Sequence, residues 1–141
     1  MLGATIGQLA RTTLISIFLV AQVQPGKAQI AAAQSQIAGT WRGKSDCVVK
    51  NSPCHDEINV YRFTEVAARP GWFSGAGSRV VNGNEILMGT LEWHYDPKNH
   101  ILESNNQNGV FRFDVGDGKM EGTLLLPNGT AYRRIHLTKA K

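Results

Sequence analysis

The chain has 141 residues, with 15 Lys and Arg against 11 Asp and Glu for a formal net charge of +4, a size that fits a single ordinary domain. Charges alternate in sign along the sequence, as at Arg42, Lys44 and Asp46 or at Arg112 and Asp114. No basic cluster with interleaved aromatics occurs, which argues against a nucleic-acid partner.

The N-terminal part reads as an address. Residues 12–23 (TTLISIFLVAQV) are apolar and uncharged, with Arg11 before them. That stretch is shorter than the ~20 apolar residues a spanning helix needs, and fits the core of a secretory signal peptide. Small-x-small sites follow at Gly26-Lys27-Ala28 and at Ala31-Ala32-Ala33, and removal is expected after Ala28, so that 1–28 is the signal peptide; an uncleaved membrane anchor is the alternative. Cleavage would leave 13 basic against 11 acidic side chains, a net +2. The expected location is exported, periplasmic or secreted, with no membrane span after cleavage. Residues 29–36 (QIAAAQSQ) carry no apolar periodicity and are expected to form a flexible lead-in to a β-domain over 37–141.

Within that domain the first strand is predicted over 39–49. Cys47 falls near its end, and Cys54 lies seven positions on, across Asn51-Ser52-Pro53, which is turn composition. Two cysteines flanking a hairpin loop come within disulfide reach, and an exported chain meets an oxidising environment. Closing this loop is worth about 2.5 kcal/mol in the chain-entropy model. A metal site is the weaker reading: Cys47, Cys54 and His55 are three ligands, and consecutive Cys54, His55 and Asp56 cannot all face one ion from a strand. A reactive thiol lacks both a C-x-x-C and a facing histidine. A disulfide is expected, and neither metal nor cofactor.

The second strand is predicted over 57–66. The third, over 71–80, is the least regular, because the segment around it contains Pro70 and three glycines, and a short helix or an irregular loop is the alternative there; its Trp72 and Phe73 are candidate contacts for a ligand or partner. The fourth (85–96) and sixth (109–115) alternate clearly. Leu91, Trp93 and Tyr95 oppose Glu92, His94 and Asp96, and Phe111, Phe113 and Val115 oppose Val110, Arg112 and Asp114. The fifth (100–106), seventh (119–126) and eighth (130–138) follow the turns Asp96-Pro97, Asp117-Gly118 and Asn128-Gly129, with Asn82-Gly83 before the fourth and Asn108-Gly109 before the sixth. Asn128-Gly129-Thr130 is formally a glycosylation sequon but reads as a hairpin turn. Glu92, His94 and Asp96 share a face without a third catalytic partner, and no nucleophile elbow or phosphate loop occurs. An enzyme is not expected.

Eight sequential antiparallel strands remove their edges by closing, so the fold class expected is all-β, an eight-stranded up-and-down barrel. Gly39-x-Trp41 at the start of the first strand resembles the first-strand motif of lipocalins and related calycin barrels. That resemblance implies that Trp41 closes one end of the barrel against an arginine of the last strand, for which Arg133, on the face of Ile135 and Leu137, is the candidate. The longer string GTWRGKSDC, MGTLEWHYD and MEGTLLLPNGTAYRRIHL resembles a group of small secreted bacterial proteins, which implies fold and address but no activity. With Trp41, Trp93, Tyr95, Phe111, Phe113, Leu124 and Ile135 on inner faces, a filled interior is expected, with room for at most one small ligand. The function expected is that of a monomeric, non-enzymatic binding protein for a small apolar ligand, with Trp72, Phe73, Trp93, Tyr95, Phe111 and Phe113 as candidate contacts. The alternative is a rigid envelope or protein-binding factor, such as an inhibitor of an exported hydrolase, acting through its loops on an exported partner.

Overall fold

A computed structural model of the chain describes Gly3, Ala21 and residues 24–141; most of the expected signal segment lies outside the described residues. One helix, α1 (Pro25–Ile37), precedes eight strands: β1 (Gly39–Cys47), β2 (Glu57–Glu65), β3 (Trp72–Val81), β4 (Asn84–Asp96), β5 (Ile101–Asn106), β6 (Gly109–Val115), β7 (Lys119–Leu125) and β8 (Ala131–Lys139). They form a closed barrel in sequence order, every pair antiparallel, with β8 returning to β1 from Trp41↔Lys139 to Cys47↔Arg133. The all-β up-and-down barrel read from the alternation is the fold, and it is consistent with a small lipocalin-like barrel.

The lead-in expected over 29–36 differs. Its Ala and Gln residues lie within α1, where intrinsic helix propensity acts without an apolar stripe to direct it. The helix also includes Ala28, after which cleavage is expected. Its last residue, Ile37, is fully buried in the core.

Antiparallel order fixes what lies at each end of the barrel. One end, the floor, gathers the end of α1, the β2–β3, β4–β5 and β6–β7 turns and the C-terminus. The other, the mouth, gathers the Cys47–Cys54 hairpin and the β3–β4, β5–β6 and β7–β8 turns. The floor half is filled. Ile37, Trp41, Phe73, Trp93, Tyr95, Leu102, Phe113, Met120, Ile135 and Leu137 are buried there, with Trp93 stacked on Phe113 and set edge-on to Phe63 and Tyr61. Gly122 is required by this packing, since a Cβ on it would collide with the Arg112 carbonyl and the Phe113 ring.

The seam between β4 and β5 is short. Although β4 has 13 residues, it pairs with β5 only at His94↔Glu103, Tyr95↔Leu102 and Asp96↔Ile101. Its pairing with β3 continues to Val81↔Asn84. β3 itself stays paired with β2 as far as Asn59↔Arg79, so residues 84–93 of β4 form an edge of the wall without a β5 partner, and residues 84–90 are all exposed.

Candidate functional site

The β4–β5 gap and the glycines of β3 open a cavity of about 230 Å³ toward the mouth, lined by Tyr61, Gly75, Gly77, Met88, Gly89, Leu91, Asn106, Asn108, Phe111 and Leu124. Alternation puts Tyr61, Leu91, Phe111 and Leu124 inside, where rings fill the barrel at the floor; here two successive inward positions of β3 are glycine, and neither contributes a side chain to fill the space. Gly75 has a further reason to be glycine: a Cβ there would collide with the Trp93 indole nitrogen and the Phe63 ring. Among the described residues the wall carries no charged side chain. Burial, with the Glu57 carboxylate adding and Arg133 partly offsetting, pushes the Tyr61 phenol well above its ordinary value, so it stays protonated.

Two buried donors have no hydrogen-bond partner among the described residues: Asn106 Nδ2, on a residue of the wall, and Trp93 Nε1, packed behind Gly75. The Asn106 orientation is fixed because its Oδ1 accepts from the Asn108 backbone N–H at 2.9 Å. Buried polar atoms are normally paired, so both stand out beside a wall whose other polar side chains are Tyr61 and Asn108.

The disulfide hairpin stands at the same end of the barrel. Cys47 and Cys54 are bonded, with Cα atoms 6.0 Å apart, as the spacing predicted. Asp56 Oδ1 accepts from the Cys47 N–H at 2.7 Å, and the His55 carbonyl accepts from Arg133 Nη1 at 3.0 Å. The residues behind the cysteines are thus braces of the hairpin. Among the described residues no three His, Cys, Asp or Glu side chains gather as a metal site.

Arg133 departs from its expected role. It pairs in register with Cys47, at the mouth, while Trp41 pairs with Lys139 at the floor. The largely buried guanidinium lies 3.4 Å from Glu57 Oε1 and donates to Ser45 Oγ at 3.2 Å. The cation over the Trp41 ring is Lys139, with Nζ 5.5 Å from the centroid and donating to the Gln36 carbonyl at 2.9 Å. Trp41 Nε1 donates to the Ile37 carbonyl at 2.8 Å. Gly39 stands beside this cluster, next to the Lys139 stem. Trp41 closes the floor, and its partner is a lysine.

The aromatic candidates divide. Phe111 lines the cavity, whereas Phe73, Trp93, Tyr95 and Phe113 belong to the core. Trp72 lies on the outer face of β3, against the Arg69 guanidinium at 3.8 Å and the His94 ring at 5.0 Å. On that face Glu92 pairs with Arg69, and Asp96 accepts from Asn99 Nδ2 at 2.7 Å and from the Lys98 N–H at 2.9 Å. His94 is thus flanked by a salt bridge and a turn brace. Sequence reasoning missed Gly75, Gly77 and Asn106. The glycines were visible as interruptions of a strand, but only the three-dimensional register shows what faces them.

No helix among the described residues is long and apolar enough to cross a membrane. No family model matches the chain, and no curated protein is significantly similar to it.

Proposed function

We propose that this protein is an exported, non-enzymatic binding barrel whose mouth cavity takes one small, largely apolar ligand. The observation that carries the reading is the cavity of about 230 Å³, walled by Leu91, Phe111, Leu124 and Tyr61 and hollowed by Gly75 and Gly77. Concave, mostly apolar sites with a few placed polar groups are the usual form of small-molecule pockets, which span roughly 300–1,000 Å³ for drug-sized ligands. The space here suits a single ring with a short substituent. The Cys47–Cys54 disulfide supports export, because such bonds persist in oxidising compartments.

The test is titration of the folded protein with ethylbenzene, followed by amide and methyl resonances. Shifts confined to Leu91, Phe111, Leu124 and Gly77, lost in Gly77→Val, are expected. The valine side chain would place methyl groups in the cavity at the cost of a small adjustment of the Tyr61 ring, whose Cε1 would lie 3.3 Å from the new Cβ. No shifts up to the solubility limit would refute the reading.

A second reading, a barrel that acts on a protein partner, draws support from the exposed Ile86, Leu87 and Met88 on the β4 edge. Contiguous exposed apolar side chains beside an unpaired strand edge are a common form of protein-recognition surface.

A further inference from the structure

We infer that the ligand of the mouth cavity is an uncharged, single-ring molecule bearing a hydrogen-bond acceptor, of the ketone, aldehyde or ester class. This rests on the reading of the cavity as a binding site and adds which chemistry the site selects.

The unmet hydrogen bonding at the cavity is one-sided: Asn106 Nδ2, on a lining residue, and Trp93 Nε1, behind the lining residue Gly75, are both N–H donors without a partner among the described residues. The acceptor on the same amide, Asn106 Oδ1, is already engaged by the Asn108 N–H. Gly75 lines the cavity, and a Cβ on it would run into Trp93 Nε1. The indole N–H therefore abuts the wall at a point where the wall has no side chain. Trp93 itself is fully buried, so bulk water does not satisfy this donor. A ligand that offers only donors, such as an ammonium, would find these positions matched poorly, because like polarity faces like. A carbonyl oxygen accepts from either donor, or from both through its two lone pairs.

Charge is excluded on the acceptor by the lining. Among the described residues no lysine, arginine or histidine lines the cavity. A nearby strong cation, Arg133, is committed to Glu57, to Ser45 and to the His55 carbonyl. A carboxylate would enter an apolar wall without a counter-ion, which is far more costly than burying a neutral carbonyl. The volume sets the upper size at about one ring.

The test compares acetophenone with α-methylstyrene, which differ only by a carbonyl oxygen in place of a methylene group. Binding to the full chain is followed by nitrogen–proton correlation spectra, in which Trp93 gives one of three indole signals and is identified by its loss in Trp93→Phe. Acetophenone is expected to move the Trp93 indole proton and the Asn106 side-chain amide, while α-methylstyrene moves only the apolar wall. The ratio of their affinities is expected to fall about fivefold in Asn106→Leu, the worth of one neutral hydrogen bond. Retained dispersion of the amide spectrum shows that the variant is folded. If both probes bind, with the indole and amide signals still and the ratio unchanged by Asn106→Leu, the cavity is a purely apolar binder and the acceptor inference is overturned alone. If neither probe moves Phe111 or Leu124, the cavity binds neither, and the inference falls together with the reading beneath it.

Discussion

Trp41 and Lys139 meet at the floor of the barrel through three contacts: the indole N–H on the Ile37 carbonyl, the ammonium on the Gln36 carbonyl and the ammonium over the indole ring. Lys139→Met keeps the stem and removes the charge. It is expected to cost about 1–2 kcal/mol from the lost hydrogen bond and cation–π contact, read as a fall in Tm of roughly 5–10 °C. Gly75→Ala is expected to cost about 1–3 kcal/mol, because overpacking against rigid rings displaces them; urea unfolding of the variant checks it. The identity of the tryptophan as the floor residue was legible in Gly39-x-Trp41, but its partner was not. Residues 133 and 139 both have inward parity on β8, and a period of two assigns the face of the sheet without assigning height along the barrel. Height depends on the stagger between first and last strands, which no local pattern records. The two orphaned donors were hidden for a related reason: Trp93 and Asn106 lie on different strands, and their approach to one cavity depends on the stagger between them.

The strands themselves were the most legible elements, since turn pairs and alternation place their limits within a residue or two for most of the chain. Where alternation lapses, the structure departs from a barrel wall. In β4 the run Ile86-Leu87-Met88 breaks the pattern, and it is there that both faces of the strand are exposed, with Leu87 64% accessible. Leu87→Ser is expected to leave Tm unchanged within experimental error, as surface substitutions generally do, and to reduce self-association at high concentration in sedimentation velocity. The start of β4 is tied to β2 across β3 by a two-pronged bridge, Arg62 Nη1 to Glu85 Oε2 at 2.6 Å and Nη2 to Oε1 at 3.0 Å. The hydrogen bond from Arg62 holds the Glu85 carboxyl below its ordinary value of 4.5. Because the folded value is the lower one, the bridge stabilises above the ordinary value and its contribution disappears as pH falls through the folded one. Glu85→Gln is expected to make Tm less sensitive to acidification below about pH 4.5, by a small amount that salt reduces, because the pair is exposed. An acid limb identical to that of the parent would count against it. The disulfide hairpin was legible from spacing and composition, and Cys47→Ser is expected to lower Tm by about 10 °C with the strand content unchanged, measured by circular dichroism.

At the scale of the molecule, the inward aromatics predicted a filled interior, and half of that expectation holds. The floor is packed with rings, while the mouth half is hollow where Gly75 and Gly77 share a wall with Phe111 and Leu124. Counting inward rings along one sequence does not give an interior volume, which is a sum over eight strands at a given height. The short β4–β5 seam belongs to the same half, and the same glycines and the same gap make both the cavity and its opening.

The pairing of Trp41 with Lys139 also sets an order in time. The ring closes between the first strand and the last, across about a hundred residues, so the most distant contact is the one that completes the fold, and such contacts are slow to form. While the chain is being made, β1 waits with an open edge until β8 has left the ribosome. A chain stopped at Thr130 would not be a shorter barrel but an unfinished one, holding two bare edges and a half-exposed core.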